Sequence, residues 1–526
     1  MEPQILYRLD SMRSGRTFFA ITATAVTALS FAQLSVPNGA PVASITERQL
    51  RSYLGFVAHD LMEGRDTPSR GLDITALFLS SLCQRWGLVP GGENGTYYQT
   101  ILLDNRTTEP AGTSLTIGET TFTFGDQMIA EPTAAEGSGD LVFVGNGIKV
   151  KDGVDPYAGL DLKGKVIVAL TGAAPRGLQG RPGTDYWTAT EVAREQGAAA
   201  IIYLDRNAGN PIWQRRAQGY TTGRFSMPDM SGTARVPTFY VGGEAAQAIL
   251  GTDATAVMTA EPTPDAMKSR ALSSASANFK VAAQNRSVET HNVIAILPGS
   301  DPTLKNEYVM VGAHYDHVGM RVMPDGSDGL YNGADDDGSG TVAILAMAEA
   351  AAHTRVKPKR SLVFIWHTGE EKGLWGSNYF VNHPTIPLDK VKAMINIDMI
   401  GRTKEGSPPS ERNADLASRG SIYMIGPKVF SPELDTLLRR VNGQTYQLNL
   451  DPRYDDRNDP NRFWSRSDHV HYANAGIPIA FFFSGVHEDY HQPGDEVEKI
   501  DFGQLEKVSR YILTSLWEIA TRDTLD

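Results

Sequence analysis

The sequence has almost no cysteine. Cys83 is the only one among 526 residues. No intrachain disulfide can form, and Cys-rich zinc sites and iron–sulfur clusters are excluded. It also lacks an excess of positive charge: 49 Lys and Arg face 61 Asp and Glu, for a net charge of −12. A broad nucleic-acid surface is therefore not expected, and no nucleic-acid partner is assigned. No apolar run reaches the roughly 18 residues that a membrane helix needs. Internal repeats and low-complexity blocks are missing, and no signal sets an oligomeric state.

What remains is ordinary globular composition, 41% hydrophobic and 21% charged. At roughly 150 residues per domain, the length suggests about two to four domains. The 51 glycines and 29 prolines point to many turns. Near the start, Arg13 and Arg16 precede an apolar run from Phe18 to Ala32, closed by the small-residue pattern Ser30-Phe31-Ala32. This reads as a signal peptide over 1–32, cleaved before Gln33. The expected location is exported, periplasmic or extracellular, with no stable membrane span after cleavage. An uncleaved anchor is the alternative.

Residues 46–63 and Gly71–Trp86 read as helices, the second ended by Gly87. Short strands are expected over 108–128. A small separate β-rich domain is expected over 130–265, followed by a Pro-, Ser- and Ala-rich linker from Glu261 to Ala277. From 280 to 526, apolar strands alternate with helices, and Gly340–Ala352 reads as amphipathic. The fold class is α/β, a mixed central sheet flanked by helices, which places ligands at the carboxyl ends of strands.

Five of those strand ends or loops finish in side chains that suit a metal. His314 and Asp316 end one strand; Asp335, Asp336 and Asp337 precede a helix; Glu370 and Glu371, Asp398, and His491 follow others. Any one of these reads equally well as a cap or a solvated loop residue, and Asp337 suits the N-cap of the following helix. Together they are a crowd of carboxylates that would repel one another and raise their own pKa values. A pair of divalent cations removes that penalty. Three carboxylates and a hydroxide balance two Zn²⁺, which leaves one glutamate free to act as a base.

The stretches VGAHYDHVG, NGADDDGSGTVAILAMAE, FIWHTGEEKGLWGSNYF, INIDMIGR, RSDHVHYANAGIPIAFFFSG and YHQPGDEVEKID closely resemble the M28 family of co-catalytic zinc aminopeptidases. Residues 130–265 more loosely resemble a protease-associated (PA) domain, and LMEGRDTPSRG and GLVPGGENGTYYQ resemble the N-terminal part of PA-containing members. The resemblance implies an M28 zinc-peptidase fold with 44–125 as the N-terminal part of the peptidase domain, an inserted PA-like domain over 130–265, and a di-zinc catalytic domain over 280–526.

It further implies two Zn²⁺ per chain. His314 and Asp398 would hold one, Glu371 and His491 the other, and Asp336 would bridge them. Glu370 would be the general base, and Asp316 would orient His314. The pattern of His followed by Pro and Asp favours His491 over His487, which would line the pocket or hold a loop. His317 and His367 read as pocket wall or structural partners. Residues 451–466 read as a substrate-covering loop, with Tyr454, Phe463 and Trp464 as a side-chain pocket, or as a solvated connection. The implied activity is hydrolysis of the N-terminal peptide bond of a peptide with a free amino end. A dipeptidase or carboxypeptidase of the same fold is the alternative, needing a basic subsite from Arg402 or Arg462; a non-catalytic receptor is the reading from another class.

Overall fold

Four apolar runs stop abruptly at polar residues, and in the computed structural model these runs lie side by side. The structure describes residues 41–171, 178, 183–228, 235–259 and 269–524. The signal segment 1–32 lies outside them. Strands Ser361–His367, Tyr308–His314, Val391–Ile397 and Ile479–Phe483 pair in that order, all parallel. Their burial is nearly continuous rather than alternating, as a parallel sheet covered on both faces requires. All four carboxyl ends therefore share one edge. The antiparallel strand Ala283–Leu297 flanks the set on one side, and Ser421–Ile425 on the other.

Strand periodicity sends alternate side chains to opposite layers. Met310, Val363, Ile365 and Met394 pack with Phe380 and Tyr472 on one face. On the other, Trp366 donates its indole N–H to the carbonyl of Thr341, in the helix Gly338–Ala352. That helix was expected to be amphipathic, and the structure differs. Every residue except Glu349 and Ala352 is buried. It lies between the sheet and the helices Glu47–Val57 and Phe502–Thr521, so its run of alanines serves close packing on all sides.

The N-terminal helix Glu47–Val57 ends earlier than expected, and a 3-10 turn follows over Asp60–Arg65 with Glu63 and Gly64 in the left-handed region. Gly64 has no alternative there. An added Cβ would meet the carbonyl oxygens of Gly319 and Tyr331 at 2.3 and 2.5 Å. The second helix spans Arg70–Arg85.

A second, eight-stranded sheet occupies the middle of the chain. Its order is Thr120–Thr123, Ser114–Ile117, Arg270–Val281, Ala135–Phe143, Val166–Leu170, Ala200–Leu204, Thr238–Val241, Met128–Ala130. Val166, Val168 and Leu170 face one cluster and Ile167 and Ala169 the other, so both faces are covered. The sheet draws strands from both sides of the window 130–265. The stretch Glu261–Ala277 is not wholly a linker: Arg270 begins a strand in which Ala277, Phe279 and Val281 are buried at a period of two. Small Ser and Ala side chains imitate a linker in sequence while serving as strand here.

The two sheets are joined by a long ribbon. Tyr98–Thr108 pairs antiparallel with Ala283–Leu297, from Tyr98↔Val293 to Thr108↔Ala283. Only Val293–Leu297 also pairs with Ser361–His367, with Val293 opposite Trp366. The rest of the ribbon therefore runs on past the carboxyl edge of the parallel strands.

Leu345 is fully buried within Gly338–Ala352. Leu345→Ala should cost about 2–5 kcal/mol in urea unfolding, the range for a large-to-small change in a close-packed core. A loss well under 1 kcal/mol would show that this layer is looser than described.

Candidate metal centre

The carboxyl edge of the parallel sheet gathers the predicted side chains. His314 ends its strand, its carbonyl held by the Thr341 hydroxyl at 2.7 Å. Its Nε2 lies 3.4 Å from Asp336 Oδ1 and 3.6 Å from Asp398 Oδ1. The other oxygen of Asp336, Oδ2, lies 3.1 Å from His491 Nε2, which is also 3.1 Å from Glu371 Oε2. Asp336 thus turns one oxygen to each of two donor sets. Candidate ligand atoms of His314, Asp336 and Asp398 all lie within 4.8 Å of one another, as do those of His317, Asp336 and Glu371.

His317 is the addition. It is fully buried, with Nδ1 3.0 Å from Glu371 Oε1 and 3.6 Å from Asp336 Oδ2. Its ring meets that of His491 edge-on at 5.6 Å. Two imidazoles therefore face the pair Asp336 and Glu371, where the sequence reading named His491 alone. The run His314-Tyr315-Asp316-His317 carried the signal, since a chain that leaves a strand and turns back presents both ends of such a run to one site.

Neighbouring acids hold the backbone. The triple-aspartate loop is pinned from outside: the Asp495 carboxylate accepts the N–H groups of Asp335 and Asp336, each at 3.1 Å. Asp335 accepts from Gly401 N–H, and Asp337 caps its helix through Gly340 N–H at 2.9 Å while accepting from Met399 N–H at 3.1 Å. Both outer aspartates are thus engaged by main chain, which leaves Asp336 to face inward. The peptide between Asp336 and Asp337 is cis.

Asp316 lies differently from the simple expectation. The atom nearest His314 Nδ1 is the Asp316 carbonyl oxygen, at 3.1 Å; the carboxylate is 3.7 Å away. That carboxylate accepts the N–H of Glu370 at 3.1 Å and of Glu371 at 3.4 Å. It holds the turn on which the two glutamates diverge. Glu370 Oε2 sits 4.0 Å from His314 Nε2, whereas Glu371 faces His317 and His491.

The electrostatics follow from burial and crowding. Burial, with Asp398 and Glu371 alongside, holds the Glu370 carboxyl well above the usual range. Burial likewise raises Asp398, and lifts Asp316 to about 7. Asp336 goes the other way: burial opposes its charge, but His317, His314 and His491 outweigh it and hold the carboxyl well below the ordinary value. Burial also works against a charged His314, yet Glu370 and Asp398 raise it well above its usual value. Buried His314 Nε2, Asp336 Oδ2, Glu371 Oε1, His491 Nε2 and both His317 nitrogens make no hydrogen bond among the described residues. Inward-facing nitrogen and oxygen donors without partners suit divalent cations such as zinc.

Other expected candidates resolve into supporting parts. His487 is buried beside Asp335, with Nε2 3.4 Å from Oδ2. His367 bonds to the Tyr472 hydroxyl at 2.8 Å. Tyr454 and Phe463 are buried in a cluster with Tyr423, Phe481 and Phe483, and Trp464 stacks on Phe430, so these rings are core rather than an open side-chain pocket. Arg402 is fully buried against Asp489 at 3.1 Å, which leaves it no role in a substrate-carboxylate subsite. Arg462 is exposed at the start of a short 3-10 turn.

Arg65 is the supporting residue that motif reading missed. It is fully buried, and its guanidinium donates to the carbonyls of Val57, Tyr315, Asn332 and Gly333 at 2.6–3.0 Å. Val57 ends the helix Glu47–Val57, while the other three carbonyls belong to the segments just after His314 and just before the aspartate loop. Burial lowers its pKa to about 10, while Asp316 and Asp336 oppose that shift, so it stays charged at neutral pH.

Residues 292–516 match the sequence profile of Peptidase family M28. Leupeptin-inactivating enzyme 1 of Streptomyces exfoliatus is 30% identical over 210 residues, covering 40% of this chain and 39% of that protein. Leucine aminopeptidase 2 of Trichophyton rubrum is 29% identical over 255 residues, covering 44% and 45%. The chain thus spans less than half the length of these relatives. Among solved structures, an aminopeptidase from Aneurinibacillus sp. strain AM-1 aligns at a TM-score of 0.47 and 20% identity, covering 91% of this chain and 95% of that one. BSAP, a zinc aminopeptidase from Bacillus subtilis, aligns at 0.44 and 19%, covering 91% and 97%.

Arg65→Met should unfold more easily by at least about 3 kcal/mol, because each buried carbonyl left without a donor costs about 1–3 kcal/mol. The purified variant should also retain less metal by atomic absorption. An unchanged melting curve together with unchanged metal content would remove Arg65 from the framework of the site.

Proposed function

We propose that this chain, whose residues 292–516 match the profile of peptidase family M28, is a metal-dependent aminopeptidase that hydrolyses the N-terminal peptide bond of peptides. The observation that carries the proposal is Asp336, with its two oxygens turned toward two separate sets of donors. The name of one relative, leucine aminopeptidase, supports the choice within hydrolases. The buried pairing of Arg402 counts against a carboxypeptidase subsite there.

Two Zn²⁺ fit the donors. His314, Asp398 and Asp336 would hold one, and Asp336, Glu371 and His491 the other, with His317 beside them. Bound there, such ions supply positive charge that lowers the pKa of a water and polarises the scissile carbonyl. The chain's own residues do the rest. Glu370 is close to the donor sets without being one of the grouped ligands, and it takes the proton from the attacking water and returns it to the departing amine. Asp316 fixes the turn that aims Glu370. Arg65 and Asp495 hold the loops that carry the ligands. Export belongs to the same proposal, supported by the leader pattern at residues 13–32.

Peptides with free amino ends should be cleaved one residue at a time, while amino-blocked copies and chelator-treated protein should give no product by mass spectrometry. Cleavage of blocked peptides alone would overturn the aminopeptidase assignment. Glu370→Gln should keep its full metal content and lose roughly 10²–10⁴-fold in kcat, the range for a general acid–base group. Near-normal turnover in the metal-loaded variant would remove Glu370 from the chemistry.

A further inference from the structure

A cavity of about 680 Å³ lies away from the metal centre and is lined by Arg106, Arg215, Arg216, Arg224, Arg235 and Glu131. This is an unusual basin in a chain of net charge −12. Arg106 pairs with Asp104 at 2.8 Å, and Arg216 pairs with Asp205 while sitting 4.5 Å over the ring of Tyr240. Arg215, Arg224 and Arg235 are exposed, and no carboxylate among the described residues forms an ion pair with them. Glu131, the one carboxylate in the lining, accepts hydrogen bonds from the hydroxyls of Tyr240 at 2.9 Å and Tyr220 at 3.5 Å, and five arginines outnumber it. Three exposed guanidinium groups without an ion pair among the described residues thus dominate the opening, and guanidinium groups match carboxylates in two-point geometry.

The place of the cavity in the fold points to its occupant. Arg106 lies on the ribbon strand Tyr98–Thr108, and Ser226 at the cavity wall pairs with Asp104 of the same strand. Tyr98 pairs with Val293, which is opposite Trp366 at the carboxyl edge beside the metal centre. From Tyr98 to Arg106 the strand covers at most about 26 Å at roughly 3.3 Å per residue. An extended peptide with its amino end at the metal centre spans that length in about eight residues. The volume falls within the range of pockets that enclose sizeable ligands, about 300–1,000 Å³, and exceeds the needs of one small oxyanion.

We infer that this arginine-lined cavity binds the carboxylates of an acidic peptide segment lying several residues downstream of the free amino end held at the metal centre. The inference rests on the peptidase reading for the identity of that end. It gives the chain a preference for longer peptides with acidic distal residues, which its overall negative charge would otherwise repel.

The test uses full-length, metal-loaded Glu370→Gln protein and two labelled peptides of about ten residues. Both begin with leucine; one carries glutamates over its distal half and the other glutamines. Fluorescence anisotropy at low salt should show the glutamate peptide binding at least about 10-fold more tightly, with the preference shrinking as salt rises. Adding Arg215→Ala, Arg224→Ala and Arg235→Ala should abolish the preference. The same triple change in the otherwise unaltered protein should leave hydrolysis of a leucine anilide unchanged. Equal binding of the two peptides, or a preference that survives the triple change, would overturn the inference. So would inorganic phosphate binding that depends on these arginines without any peptide preference, since the cavity would then be a site for free anions. If the Glu370→Gln protein prefers the glutamate peptide but the metal-loaded protein with Glu370 intact hydrolyses neither peptide, the cavity's role stands and the aminopeptidase reading alone falls.

Discussion

Everything at the carboxyl edge depends on like charges being forced together. Asp336, Glu370, Glu371 and Asp398 are brought within a few ångströms by four parallel strands that all stop at the same level. In water such groups would separate. Here they are buried, and the raised Glu370 and Asp398 carboxyls register that cost. Histidines offset part of it, as the lowered Asp336 shows. Cations would complete the balance, and the unpartnered nitrogen and oxygen atoms suit such a role.

Forcing acids together requires a scaffold that does not yield. The chain builds it mainly from main-chain hydrogen bonds. Asp495 holds the aspartate loop by its N–H groups, Asp316 holds the glutamate turn in the same way, and Arg65 gathers four carbonyls from three segments. A charged side chain bonded to peptide groups fixes backbone without competing for the inward-facing ligand atoms. This is a division of labour: within one run of three aspartates, the outer two serve the loop and the middle one serves the site.

The candidate ligand positions are legible because each strand advertises its own end. An apolar run followed by His, Asp or Glu can be read without knowing the fold, and the repetition of that pattern identified the edge. The supporting residues were less visible. Arg65 sits in a short 3-10 turn with no periodic pattern, and its partners are carbonyls, which carry no side-chain identity. His317 was discounted because one more histidine near a strand end is more often wall than ligand. The ribbon was missed for a different reason. Tyr98–Thr108 mixes buried Ile101 and Leu103 with polar neighbours and an exposed Leu102, so its alternation is too weak to announce an eleven-residue strand. The helix Pro211–Thr222 buries only Trp213 among its residues, which leaves almost no apolar stripe to find.

The ribbon also determines how separable the two sheets are. The chain leaves the first sheet after Thr108 and returns at Ala283, and these residues are cross-strand partners. Departure and return are therefore neighbours in space, the geometry that a tight hairpin would close on its own. Of the first sheet, only the two-residue strand Phe225–Ser226 comes from the intervening chain. Topologically, the body that carries the candidate metal centre is complete without its middle third, so additions, losses and exchanges at this single junction can alter what reaches that centre while leaving the order of the strands that form it untouched.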